Sequence, residues 1–136
     1  MKNRLIFSIL LLVSGQTIAK SIDSPTGCLG ITPSAAYHRC WVDTATEQKN
    51  IYEKSFMTYL DKIKSAINEN YNIEDVIEHA RRAKTQWDNF IIDDCTVEAS
   101  IWIKESPAYY DGYYLCLTQH YSKRIAYFEN FDSGYR

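Results

Sequence analysis

The chain predicts an all-α fold: a small, disulfide-stapled bundle of three to four helices containing an antiparallel helical hairpin. Three observations predict it. Apolar residues recur at helical spacing along two long stretches. A short turn, Glu69-Asn70-Tyr71-Asn72, separates those stretches. Four cysteines lie behind an N-terminus that reads as an export leader, and an even cysteine count in an oxidising compartment implies two bridges.

The leader comes first. Lys2 and Arg4 form a positive start, Leu5 to Val13 is apolar apart from Ser8, and Thr17-Ile18-Ala19 places small residues around a cleavage point. The apolar run is too short to span a bilayer. Residues 1–19 are therefore expected to be a signal peptide, and 20–136 a single exported domain with no transmembrane segment, periplasmic or secreted in a bacterium. Residues 20–31 are polar with Gly and Pro and read as an extended lead-in.

The helices follow in order. Thr32-Pro33-Ser34 offers a cap residue with Pro at the first helical position, which starts a short helix through Cys40. Thr44-Ala45-Thr46-Glu47 matches a capping box for a second helix from about 45 to 68, one that can also run on from the first. Its stripe is Tyr52, Phe56, Tyr59, Leu60, Ile63, Ala66 and Ile67. Asn72 caps the next helix, whose stripe is Val76, Ile77, Ala80, Ala83, Trp87, Phe90 and Ile91, ending near Cys95. Two helices of similar length joined by a tight turn make an antiparallel hairpin. A third helix is expected from about Gly112 to Phe131, although Ser106-Pro107 is a competing cap signal.

Between Cys95 and Cys116 the pattern changes. In 96–104, "TVEASIWIK", Val97, Ala99, Ile101 and Ile103 alternate with Glu98, Ser100, Trp102 and Lys104. Period two predicts an extended or irregular 96–111 segment, with its aliphatic face buried and Trp102 outward. From Asp88 to Asp111 the acids are Asp88, Asp93, Asp94, Glu98, Glu105 and Asp111 against Lys104 alone. Acid and aromatic side chains on one stapled segment suit the grip of a basic protein surface. The expected partner-binding set is Glu98, Trp102, Glu105, Tyr109, Tyr110 and Asp111, weighed against a rim-packed Trp102 and a merely solvated acidic face.

Other chemistry is disfavoured. Without residues 1–19, which carry Lys2 and Arg4 and no acids, the chain holds 13 basic and 17 acidic residues, a net charge of −4. That argues against nucleic acid. No CxxC, nucleophile elbow or phosphate loop is present, and the cysteines and three histidines form no close-spaced zinc pairs. Cys116 and His120, four apart, make a thiol–imidazole pair only if Cys116 is not a half-cystine, and the disulfide reading takes precedence. His38 and His79 read as surface residues, and Asp93 and Asp94 as solvent-facing. No enzyme, cofactor or metal is expected. Cys28, Cys40, Cys95 and Cys116 are structural disulfide partners whose pairing stays open among three possibilities.

The cysteine framework resembles a known family. Trp87-Asp-Asn-Phe90-Ile-Ile-Asp-Asp-Cys95 is similar to the Trp-x-x-aromatic-x-x-x-x-Cys run of the LprI-type lysozyme inhibitors, the DUF1311 domain. Cys116 with Arg124 eight residues on, and the spacing of Cys28 and Cys40, are similar too. Lys49, Tyr52 and Glu53 stand where that family has an Asp and a Leu-Asn pair, and Ile91-Ile92 replaces its Arg-Asp, so the likeness is to a divergent member. The resemblance implies a helical, disulfide-bonded envelope protein and transfers no catalytic residues. The resulting expectation is steric inhibition of a lysozyme-type muramidase or another cationic envelope-attacking enzyme. The alternatives are an immunity protein against a secreted antibacterial toxin and a structural envelope module.

Overall fold

A computed structural model describes residues 27–31, 34–67 and 70–131. The leader, most of the lead-in and the Thr32-Pro33 cap lie outside the described residues.

Among the described residues three helices form the bundle: α1 (Ser34–Ala66), α2 (Ile73–Ala99) and α3 (Pro107–Glu129). The two short helices foreseen before residue 68 are one. No Gly or Pro interrupts 34–66, and the expected capping box lies inside the helix. Thr46 Oγ1 donates to the Val42 carbonyl at 2.8 Å, a bond that presupposes a helical turn before it. The buried stripe of α1 is Trp41, Ala45, Tyr52, Phe56, Leu60 and Ile63.

Asn72 caps α2 as expected, its side-chain oxygen accepting from the Glu74 N–H at 3.0 Å. Glu74 and Asp75 complement the positive helix end. Only Ile77, Ile91, Cys95 and Ala99 are buried along its 27 residues. α3 starts at the earlier of its two signals. Ser106 Oγ accepts from the Tyr109 N–H at 3.2 Å and Pro107 occupies the first turn, so Gly112 falls inside the helix.

Cross-links define the topology. Tyr52 meets Asp88 and Glu53 meets Lys84, so α1 and α2 are antiparallel as the hairpin requires. His38 meets Asp111, Gln48 meets Ser122 and Lys62 meets the Phe128 carbonyl, so α1 and α3 run parallel. α1 and α2 touch each other less than either touches α3. The third helix therefore closes the core.

At the waist, aromatic rings from all three helices pack together. Tyr52 stacks on Phe128 at 5.8 Å between ring centres and lies 5.2–5.3 Å from Trp87 and Tyr121. A polar network is threaded among them. The Tyr52 hydroxyl donates to Asp88 Oδ1 at 2.7 Å, while Lys84 Nζ donates to Asp88 Oδ2 and Glu53 Oε1. The ammonium also lies 4.7 Å above the Tyr52 ring. Burial, then the bond to Asp88, pushes the Tyr52 hydroxyl far above its ordinary value. Burial likewise pushes Tyr59 and Tyr121 up to about 12. For Lys84, burial pulls down, but the bonds to Asp88 and Glu53 outweigh it and leave the pKa raised.

Both disulfides are local. Cys28–Cys40 ties the lead-in to the first turns of α1, and Cys95–Cys116 ties the end of α2 to α3. Gly30, at φ +91°, makes the tight turn that lets Cys28 tuck under. Each bridge contributes about 2–4 kcal/mol by limiting the unfolded chain.

Candidate functional site

The 96–111 segment is neither extended nor uniformly irregular. Residues 96–99 finish α2, 107–111 begin α3, and only 100–106 form a bend. The cause lies in the buried stripe of α2. Ile91, Cys95 and Ala99 follow one another at four-residue spacing, which keeps the helix docked through Ala99. At about 100° per residue, Val97 then points away from the core.

The predicted burial of the aliphatic face is consequently overturned. Among Val97, Ala99, Ile101 and Ile103 only Ala99 is buried; the others are 69%, 79% and 84% exposed. Trp102, at 51%, is the better covered of the bend's large apolar residues. Its indole lies beside Gly112, where an added Cβ would sit 3.5 Å from Cδ1 and Nε1. Glycine at that position leaves the ring a shelf on α3. Trp102 thus covers the helix end and still presents half its surface.

The bend is held at several points. Cys95–Cys116 clamps the two helices that flank it. The Trp102 N–H donates to the Ala99 carbonyl and the Ser106 N–H to the Ile103 carbonyl, each at 3.0 Å. Glu105 has φ +64°, a left-handed conformation unusual for a side chain other than glycine, costing on the order of 1 kcal/mol.

The remaining predicted residues divide. Glu98 is exposed on the last turn of α2, and Glu105 is exposed in the bend. Tyr109 is half-buried, its ring 5.4 Å from Tyr110 and edge-on to it. Glu105 and Tyr110 share a groove of about 400 Å³ with Ser34, Ala35, His38 and Pro107. Asp111 is engaged within the chain: its carboxylate bonds His38 Nδ1 at 2.7 Å, fastening the start of α3 to α1. The acidic run is similarly spent. Asp88 serves Tyr52 and Lys84, and Asp94 pairs with His120 at 2.9 Å, which corrects its reading as solvent-facing. Asp93, Glu98 and Glu105 make no ion pair among the described residues.

Sequence reasoning missed His38, Val97, Ile101 and Ile103. His38 reads as a surface residue in the sequence, and its partner is 73 positions away, so no local signal marks it. Val97 was recoverable by carrying the α2 period past Cys95. His79, the other histidine read as unpartnered, bonds Arg82 at 2.9 Å.

No family model, curated protein or solved structure matches the chain. Arg124 lies 5.5 Å over the Trp87 ring, and Cys95 is bonded to Cys116. No described helix is long and apolar enough to cross a membrane.

Proposed function

We propose that this chain is an exported, LprI-like binding protein that inhibits a lysozyme-type muramidase or a similar cationic envelope-attacking enzyme by seating the 97–110 region in its cleft. One observation carries the reading. Val97 near the end of α2 and Ile101, Trp102 and Ile103 in the disulfide-braced bend are each more than half exposed, and large apolar residues left uncovered this close together in the chain favour an interaction site. Trp102 and Tyr110 are the side chains best suited to anchor a contact. Glu98 and Glu105 flank the apolar surface and supply the charge that favours a basic target. Bracing limits the entropy lost on association. Two disulfides support an oxidising compartment outside the cytoplasm.

The test is binding and inhibition kinetics with a basic lysozyme. Trp102→Ala should raise the dissociation rate at least about tenfold, the equivalent of 1.4 kcal/mol. Glu98→Lys combined with Glu105→Lys should slow association, and about 0.5 M NaCl should weaken binding. If both variants bind as the parent does, the bend is not the contact surface. Absence of any complex with muramidases rejects the target class.

A further inference from the structure

His120 stands one turn after Cys116 on α3, and a helical side chain leans over the turn before it. The Sγ atoms of Cys95 and Cys116 and a ring nitrogen of His120 all lie within 4.8 Å of one another. Among the described residues no other grouping of three potential metal ligands is this close. The sulfurs are joined to each other here, so neither is available as a thiolate. One nitrogen of the imidazole is nonetheless already held by a carboxylate, as in metal-bound histidines. Its Nε2 is 2.9 Å from Asp94 Oδ2, its side chain is mostly covered, and Trp87 and Phe90 stand edge-on to it.

A carboxylate holding one ring nitrogen as N–H leaves the other as a lone-pair donor, the arrangement that orients histidines around zinc. We infer that opening the Cys95–Cys116 bridge uncovers a zinc site. Its ligands are Cys95 Sγ, Cys116 Sγ and His120 Nδ1, with water in the fourth position and Asp94 Oδ2 orienting the ring. A dithiol reductant supplies two electrons and two protons, converting the bridge to two thiols and becoming a disulfide itself. Zn²⁺ then replaces the two thiol protons, which pass to solvent.

The distances permit this. Zinc–sulfur bonds of about 2.3 Å in a tetrahedron separate two sulfurs by about 3.8 Å. The bonded pair must therefore part by under about 2 Å, which rotation of the two side chains supplies. The backbones, 5.5 Å apart at Cα, need not be rebuilt. Cys28–Cys40 is the internal contrast: its Cys28 sulfur has the Thr44 hydroxyl at 3.6 Å and no imidazole, so it offers no comparable donor set. The consequence is a bend that stays braced in two chemical states, by sulfur–sulfur in one and by metal in the other. This inference does not depend on the proposed target.

The experiment uses the Cys28→Ser/Cys40→Ser chain, reduced with a phosphine and titrated anaerobically with Co²⁺. Thiolate-to-cobalt charge transfer and tetrahedral visible bands should saturate at one equivalent and vanish on adding Zn²⁺. The oxidised chain should show neither. His120→Ala should weaken Co²⁺ binding at least about tenfold, and Asp94→Asn by about 10-fold or more. Should the reduced chain lose its helical circular dichroism, Zn²⁺ must restore it. No charge-transfer band, no such restoration in an unfolded chain, or unchanged affinity in His120→Ala overturns the site.

Discussion

The waist of the bundle and the α2–α3 bend use the same residue types to opposite ends. At the waist, rings are surrounded: Tyr52 is wholly buried, and its hydroxyl is answered by Asp88. At the bend, Ile101 and Ile103 are almost bare. Aromatic and aliphatic content therefore does not locate the core. What decides is whether a neighbouring helix supplies a facing surface, and Ile101 and Ile103 meet none. A region whose apolar groups are uncovered contributes little to folding and is free to serve a contact.

That contrast can be broken most directly by truncation. Phe128→Ala, in the buried ring cluster, should cost about 3–5 kcal/mol in urea unfolding. Ile101→Ala and Ile103→Ala should stay within about 0.5 kcal/mol of the parent. Comparable losses at both places would mean the bend is covered in solution. Next in size is Asp88→Ala, which strands the buried Tyr52 hydroxyl and leaves the Lys84 ammonium with Glu53 alone. About 2 kcal/mol should be lost, read from the same denaturant curves.

Alkaline pH sharpens the comparison further. Tyr59 and Tyr121 hold their protons to about 12 in the fold, whereas an unfolded tyrosine ionises near 10. The folded state thus binds more protons above that point, so its stability is full below about pH 10 and falls as pH rises. Lys84, also raised, acts in the same direction. Tyrosinate absorbance from Tyr59 and Tyr121 should appear in a late stage, together with loss of helix. Their ionisation in an early stage would show the waist to be open. The smallest effect belongs to the bend: Gly112→Ala should raise Tm slightly, by up to about 1 kcal/mol of helix propensity. A Cβ there makes only ordinary contact with Trp102. Destabilisation would mean that the indole sits closer to α3.

Much of the scaffold was legible. The Asn72 cap, the antiparallel hairpin and the stripe through Phe56–Ile63 follow from local spacing, as do both candidate starts of α3, whereas the expected α2 stripe is only partly covered, with Ala83 and Phe90 exposed. The misreading of 97–103 has a definite origin: a helix in its last turn followed by a bend can mimic period two over seven residues. Only the earlier spacing of Ile91 and Cys95 discriminates. The two histidine–carboxylate ties, His38–Asp111 and His120–Asp94, were illegible because each joins separate helices. They also explain why the acidic run overstated the free charge of the site, since a carboxylate's partner is set by packing and not by its sequence neighbours.

The parallel pairing of the first and last helices has an implication for biosynthesis. A nascent chain that has exposed only its first two helices has little to close upon, because most of their shared interior is furnished by residues that arrive last. Such a molecule stays open until α3 has been made, and a premature stop within the codons for Pro107–Glu129 should leave material for proteases rather than a smaller working protein.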